Sequence, residues 1–127
     1  MHRQTVSTEH APKAIGPYSQ AIIANGFVFC SGQIAIDPAT GELIQGDIAA
    51  QTAQVLTNLR AVLEASGASL DTVVKTTVFL HCMADFEAMN AVYGEVFKDN
   101  PPARSTVGNL DLPRGVLVEI EAVALVV

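Results

Sequence analysis

Tryptophan is absent from this chain, cysteine occurs twice, and lysine plus arginine number 7 against 13 aspartates and glutamates. Each scarcity removes a class of function. Cys30 and Cys82 stand far apart, in none of the paired spacings of zinc or dithiol redox sites. Each falls at or near an expected strand, where a small buried thiol is the ordinary reading. Neither has a local base to make it a nucleophile. His2, His10 and His81 have no metal-ligand spacing, so no metal is expected. No glycine-rich phosphate loop leads into a helix. The basic residues are scattered and the net charge is −6, unlike the basic stripe of a nucleic-acid binder. No apolar run reaches the about 20 residues that span a bilayer, and Met1-His2-Arg3-Gln4 lacks the apolar core of a signal peptide. A cytoplasmic, reduced protein with neither nucleic acid nor membrane as partner is the expectation. No cofactor is implied. Pocket electrostatics and one acid/base group remain as the means of chemistry.

What the chain does have is apolar bulk. Hydrophobic residues make up 50% of its 127 positions and charged residues 16%. One domain, residues 1–127, accounts for that length. A core this small leaves apolar surface over, which points to burial between subunits. Residues 3–8 suggest a first strand, and Ala11 to Ser19, with Pro12, Gly16 and Pro17, an ordered loop. Ala21–Ala24 and Phe27–Ser31 flank Asn25-Gly26, the signature of a tight hairpin. A short strand is expected at Glu42–Ile44 after the turn-rich Asp37–Gly41.

Asp47 is placed to cap a helix from about Ile48 to Ser66, with Gly67 where a left-handed residue ends it. Ile48, Thr52, Val55, Leu56, Leu59, Val62 and Leu63 form its apolar stripe. Val73–Leu80 reads as a buried strand. A second helix over about Ala84–Phe97 aligns Phe86, Met89, Tyr93 and Phe97. Strands near 103–108 and 115–126 close the domain. The order predicts an α+β two-layer sandwich, a mixed sheet with two helices on one face.

Chemistry concentrates near the end of the chain. In Val116–Leu125 alternation puts Val116, Val118, Ile120, Ala122 and Ala124 on one face. Glu119 and Glu121 share the other with Leu117, Val123 and Leu125. A carboxylate in such company needs a partner, and it can have its pKa raised into the range useful for proton transfer. Arg104 is the nearest cation in sequence, entered through Pro101-Pro102-Ala103, and its fork suits a carboxylate. A salt bridge to Glu119 or Glu121, or a plain surface role, is the competing account. Asn90 interrupts the second helix's stripe. Tyr18 sits in the proline-held loop, and Gly32 after Ser31 allows a close approach.

Taken together, Ala11–Ala21, Ser31-Gly32-Gln33-Ile34, Asn90-Ala91-Val92-Tyr93, Pro102–Val107 and Val118–Ala122 resemble the RidA (YjgF/YER057c/UK114) family. The resemblance implies a chorismate-mutase-like fold, homotrimers with clefts between subunits, and hydrolysis of reactive enamine and imine acids such as 2-aminoacrylate to 2-keto acids and ammonia. It implies Arg104 as the grip on the substrate carboxylate and Glu119 as the group that orients water or moves protons. Tyr18, Ser31, Gly32, Asn90, Ser105 and Thr106 would line or support the cleft. Thr106 stands where other members carry cysteine, and Cys82 where a helix-capping aspartate is expected. The reading requires Arg104 and Glu119 to face one crevice, within a chain or across protomers. Its rivals are a ligand-binding regulator using the same cleft, and a holdase-like interaction module.

Overall fold

Alternation, turn chemistry and two amphipathic stripes resolve into one six-stranded sheet backed by two helices. The computed structural model describes residues 2–127. The strands are β1 (Gln4–Val6), β2 (Ala21–Ala24), β3 (Phe27–Gln33), the short β4 (Ile36–Asp37) and β5 (Glu42–Leu43), β6 (Val73–Leu80), β7 (Ala103–Val107) and β8 (Val118–Leu125). The helices are α1 (Ile48–Ala65) and α2 (Phe86–Val96). The main sheet runs β1-β2-β3-β8-β6-β7; only β6 and β7 pair in parallel. The α+β sandwich is therefore as expected. Among the described residues no helix is long and apolar enough to cross a membrane.

Local chemistry accounts for most boundaries. Asn25 and Gly26 both take positive φ, 53° and 79°, and the hairpin pairs Ala24 with Phe27, as a two-residue primed turn demands. Asp47 accepts a hydrogen bond from the Ala50 amide and Gly67 ends α1 at φ 80°. The second helix begins later than the pattern suggested. A 3-10 turn, Met83–Asp85, precedes it, and Cys82 at its N-cap offers no side-chain bond. Cys82 is exposed, so only Cys30 is the buried thiol expected of both. The last strand also starts late, at Val118, because a 3-10 turn occupies Pro113–Gly115.

The core lies between sheet and helices. Val28, Val78, Leu80, Val118 and Ile120 meet Val55, Leu59, Val62, Leu63 and Met89 there, all fully buried. Asn58 is a polar member of the α1 stripe that the apolar pattern overlooked. Its Nδ2 donates to the Ile34 and Ile36 carbonyls at 3.1 and 2.9 Å, and its Oδ1 accepts from Gln54 at 2.9 Å. The helix is thereby stitched to the chain segment beyond β3. The opposite sheet face has no covering layer. Phe29, Val107 and Leu125 stand exposed on it, 48%, 43% and 44% accessible.

Candidate functional site

β7 is the edge strand beside β6, and its register sets the direction of Arg104. Arg104 pairs with Thr76, and Thr76 pairs with Ala122. Directly paired residues share a face, so Arg104 points to the helix side. There α2 receives it. Arg104 Nη1 donates to Asn90 Oδ1 at 2.7 Å, and the guanidinium lies over the rings of Tyr93 at 4.7 Å and Phe86 at 5.5 Å. Tyr93 is itself fixed, its hydroxyl sharing a 2.7 Å hydrogen bond with Thr76 Oγ1. Burial pushes the Tyr93 phenol above its ordinary value of 10.0, with the Thr76 bond and the Arg104 charge working against that rise. Among the described residues the one side-chain ion pair is Arg60 with Glu64. Arg104 is thus a seated guanidinium whose charge has no carboxylate answering it. Thr106, two residues on, shares its face and is half-buried.

Glu119 belongs to the other side of the sheet. It pairs with Phe79, and Glu121 with Thr77, which in turn pairs with Ser105. The expected single crevice does not exist within one chain. Arg104 and Thr106 lie on the helix face, whereas Glu119, Glu121 and Ser105 lie on the uncovered one. The salt bridge between Arg104 and these carboxylates is excluded by the same alternation. Ser105 instead accepts a hydrogen bond from Lys75 Nζ at 2.9 Å.

Around Glu119 the chain builds a cleft of ≈ 680 Å³. Its walls include Lys13, Ile15, Tyr18, Ser31, Gly32, Ile34, Ile36, Arg114, Glu119 and Glu121. A register shift between Cys30 and Gln33 carries Gly32 over the glutamate. A Cβ on Gly32 would collide with Glu119 Oε2, so only glycine leaves the carboxylate its position. Ser31 Oγ donates to the Ser19 carbonyl at 2.6 Å, which holds the Tyr18 loop down. Burial raises the Glu119 carboxyl above its ordinary value of 4.5, and the neighbouring Glu121 charge raises it further.

Two groups that matter here escaped the sequence reading. Gln20, buried, donates from Nε2 to the carbonyls of Thr8, Ala11 and Pro12 and accepts from the Thr8 amide at 2.7 Å. It ties the first loop to the cleft wall. Its place at the end of the proline-held loop was the available signal. Phe86 and Tyr93 belong to the apolar stripe of α2, and their second role, under Arg104, depends on where β7 lies.

Apart from Ser105, which is bonded to Lys75 on the uncovered face and does not line the cleft, the predicted residues fall into two groups. Arg104, Asn90 and Thr106 assemble with Phe86 and Tyr93 at the β7 edge. Glu119, Gly32, Ser31 and Tyr18 assemble at the cleft. One half can hold an anion, and the other can hold and release a proton.

Residues 8–126 match the family described as endoribonuclease L-PSP. A RutC family protein of Pyrococcus horikoshii is 56% identical over 122 residues, covering 96% of this chain and 97% of the relative. The human 2-iminobutanoate/2-iminopropanoate deaminase is 45% identical, covering 97% of this chain and 90% of the human protein. The crystal structure of a Rid family protein from Yersinia pestis superposes with a TM-score of 0.95 at 48% identity, covering 98% of this chain and 100% of that one.

Proposed function

This chain belongs to the endoribonuclease L-PSP family, the RidA/YjgF proteins, and on that footing we propose that it hydrolyses 2-imino and 2-enamino acids such as 2-aminoacrylate to 2-keto acids and ammonia. The observation that carries this reading is the seating of Arg104. A guanidinium stacked on Tyr93, bonded to Asn90 and lacking a carboxylate is preorganised for an anionic substrate. The human relative's name supports the reaction class.

Opposite placement of the two halves makes one chain an incomplete enzyme. A homotrimer, in which Arg104 of one copy faces the Glu119 cleft of the next, completes it, and the uncovered apolar face supports such association. The imine carbon is already electrophilic. Arg104 holds the carboxylate and so orients the C=N bond toward the cleft. Glu119 takes a proton from water as its oxygen adds to that carbon. It returns the proton to nitrogen to give a carbinolamine, then carries the new hydroxyl's proton to the same nitrogen, so that the C–N bond breaks and ammonia leaves as the carbonyl forms. Thr106 and nearby backbone groups hold the water or the imine nitrogen, and Tyr18 walls the cleft.

The test is complementation. Arg104→Ala and Glu119→Gln each lose all but about a hundredth of the activity as pure proteins, in an assay that follows keto acid while a dehydratase generates the imine. Unfolded and refolded together in equal amounts, they recover about a quarter of wild-type activity, because that share of sites in a cyclic assembly draws both native groups. No recovery, in assemblies shown to be mixed, removes the shared site.

A further inference from the structure

The cleft holds two cations that the proposed reaction does not use. Lys13 and Arg114 line the same walls as Glu119, from opposite ends of the sequence. Both side chains are exposed, yet both are launched from fixed backbone. Gln20 Nε2 binds the Pro12 carbonyl at 2.8 Å, directly before Lys13. Arg114 follows Pro113 and precedes Gly115, whose amide donates to the Leu112 carbonyl at 3.1 Å. Arg114 itself sits at φ 57°, a conformation that costs a branched or long side chain strain and that clusters at ligand sites. Glu119 and Glu121 face these cations across the cleft, yet neither is ion-paired with them.

Size points the same way. A cleft of ≈ 680 Å³ lies within the range that accommodates drug-sized ligands. If the substrate's 2-carboxylate is held by Arg104 of a second copy, the Lys13 and Arg114 end is left to receive whatever the substrate's side chain carries. We infer that Lys13 and Arg114 form a subsite for a second anionic group, so that dicarboxylic 2-imino acids are preferred over monocarboxylic ones. The inference rests on the deaminase reading for the word substrate, and on the cleft alone for the anion subsite.

Two measurements separate them. In the first, 2-iminoglutarate and 2-iminobutanoate are generated in the cuvette by an amino-acid oxidase and kcat/KM is taken for each. In the second, calorimetry gives the Kd of 2-oxoglutarate and of 2-oxobutanoate. Wild-type protein favours the dicarboxylic compound about tenfold in both, the worth of one charge-assisted contact. The Lys13→Ala/Arg114→Ala double variant brings both ratios close to one. Arg60→Ala, which removes a charge far from the cleft, leaves them as in the wild type. Ratios unmoved in the double variant, a wild type without preference, or an equal fall in Arg60→Ala overturns the subsite. Binding ratios that behave as stated, with neither imine hydrolysed, uphold the subsite and sink the deaminase. Turnover of both imines without preference does the reverse.

Discussion

The Arg104 edge and the Glu119 cleft are built by different means. At the edge, a charged group is held by contacts: a hydrogen bond to the Asn90 side-chain oxygen, two aromatic faces, and a tyrosine pinned by Thr76. At the cleft, a charged group is conditioned by what is missing. Gly32 supplies no side chain, burial removes water, and Glu121 adds like charge. The first arrangement fixes geometry and leaves a charge unopposed. The second leaves room and shifts proton affinity. In the proposed reaction, grip and proton transfer would place opposite demands on their surroundings, and the two faces of one sheet differ in that sense.

The largest effect should come from removing the grip. Arg104→Ala is expected to lower kcat/KM for carboxylate-bearing imines by about 10²–10³-fold, as loss of a preorganised charge contact does. Its melting temperature should stay near wild type, because the strand is an exposed edge. A large loss of stability would mean that the edge is structural and the comparison false.

Glu119→Gln comes next, with about a 10²-fold loss in kcat from removal of the proton carrier. It also separates the halves by pH. A raised carboxyl means that the folded protein holds this proton more tightly than the unfolded chain. As pH climbs from the ordinary value of 4.5, the unfolded chain ionises first and the native state loses stability until the raised value is passed. Glutamine does not titrate. Thermal melts at pH 4 and pH 7 should therefore show the variant gaining on wild type as pH rises, whereas Arg104→Ala shows no such trend. A gain at low pH instead would contradict the burial argument.

Gly32→Ala should cost about tenfold in kcat, because the added methyl displaces the carboxylate by a fraction of an ångström. KM should barely move if the grip belongs to the other half, and steady-state kinetics with varied imine concentration reads the split. Smallest is Tyr93→Phe, which keeps the ring under Arg104 and deletes the bond to buried Thr76. About 1–3 kcal/mol of stability should be lost in urea melts, with kcat/KM changed little.

Much of this was legible in the residues, and the limits are instructive. The Asn25-Gly26 turn, the α1 cap and the two faces of β8 follow from local chemistry, and the structure agrees with each. Strand order does not follow from local chemistry. Nothing between Ala103 and Val107 announces a parallel pairing with β6, so the direction of Arg104 was hidden, and with it the reason for Asn90, Phe86 and Tyr93. Proximity in sequence suggested Glu119 or Glu121 as the arginine's partner. Register through Thr76 and Ala122 rules that out. The backbone shift at Gly32 was likewise foreshadowed only by the glycine itself.

Asn58 has a reach beyond its own helix. Ile34 and Ile36, whose carbonyls it holds, also form part of the cleft lining. The cleft wall is thereby made answerable to a residue that stands outside the cleft. Surveys of inactivating substitutions should find Asn58→Leu among them, as a lesion transmitted through two peptide groups from the far layer of the molecule.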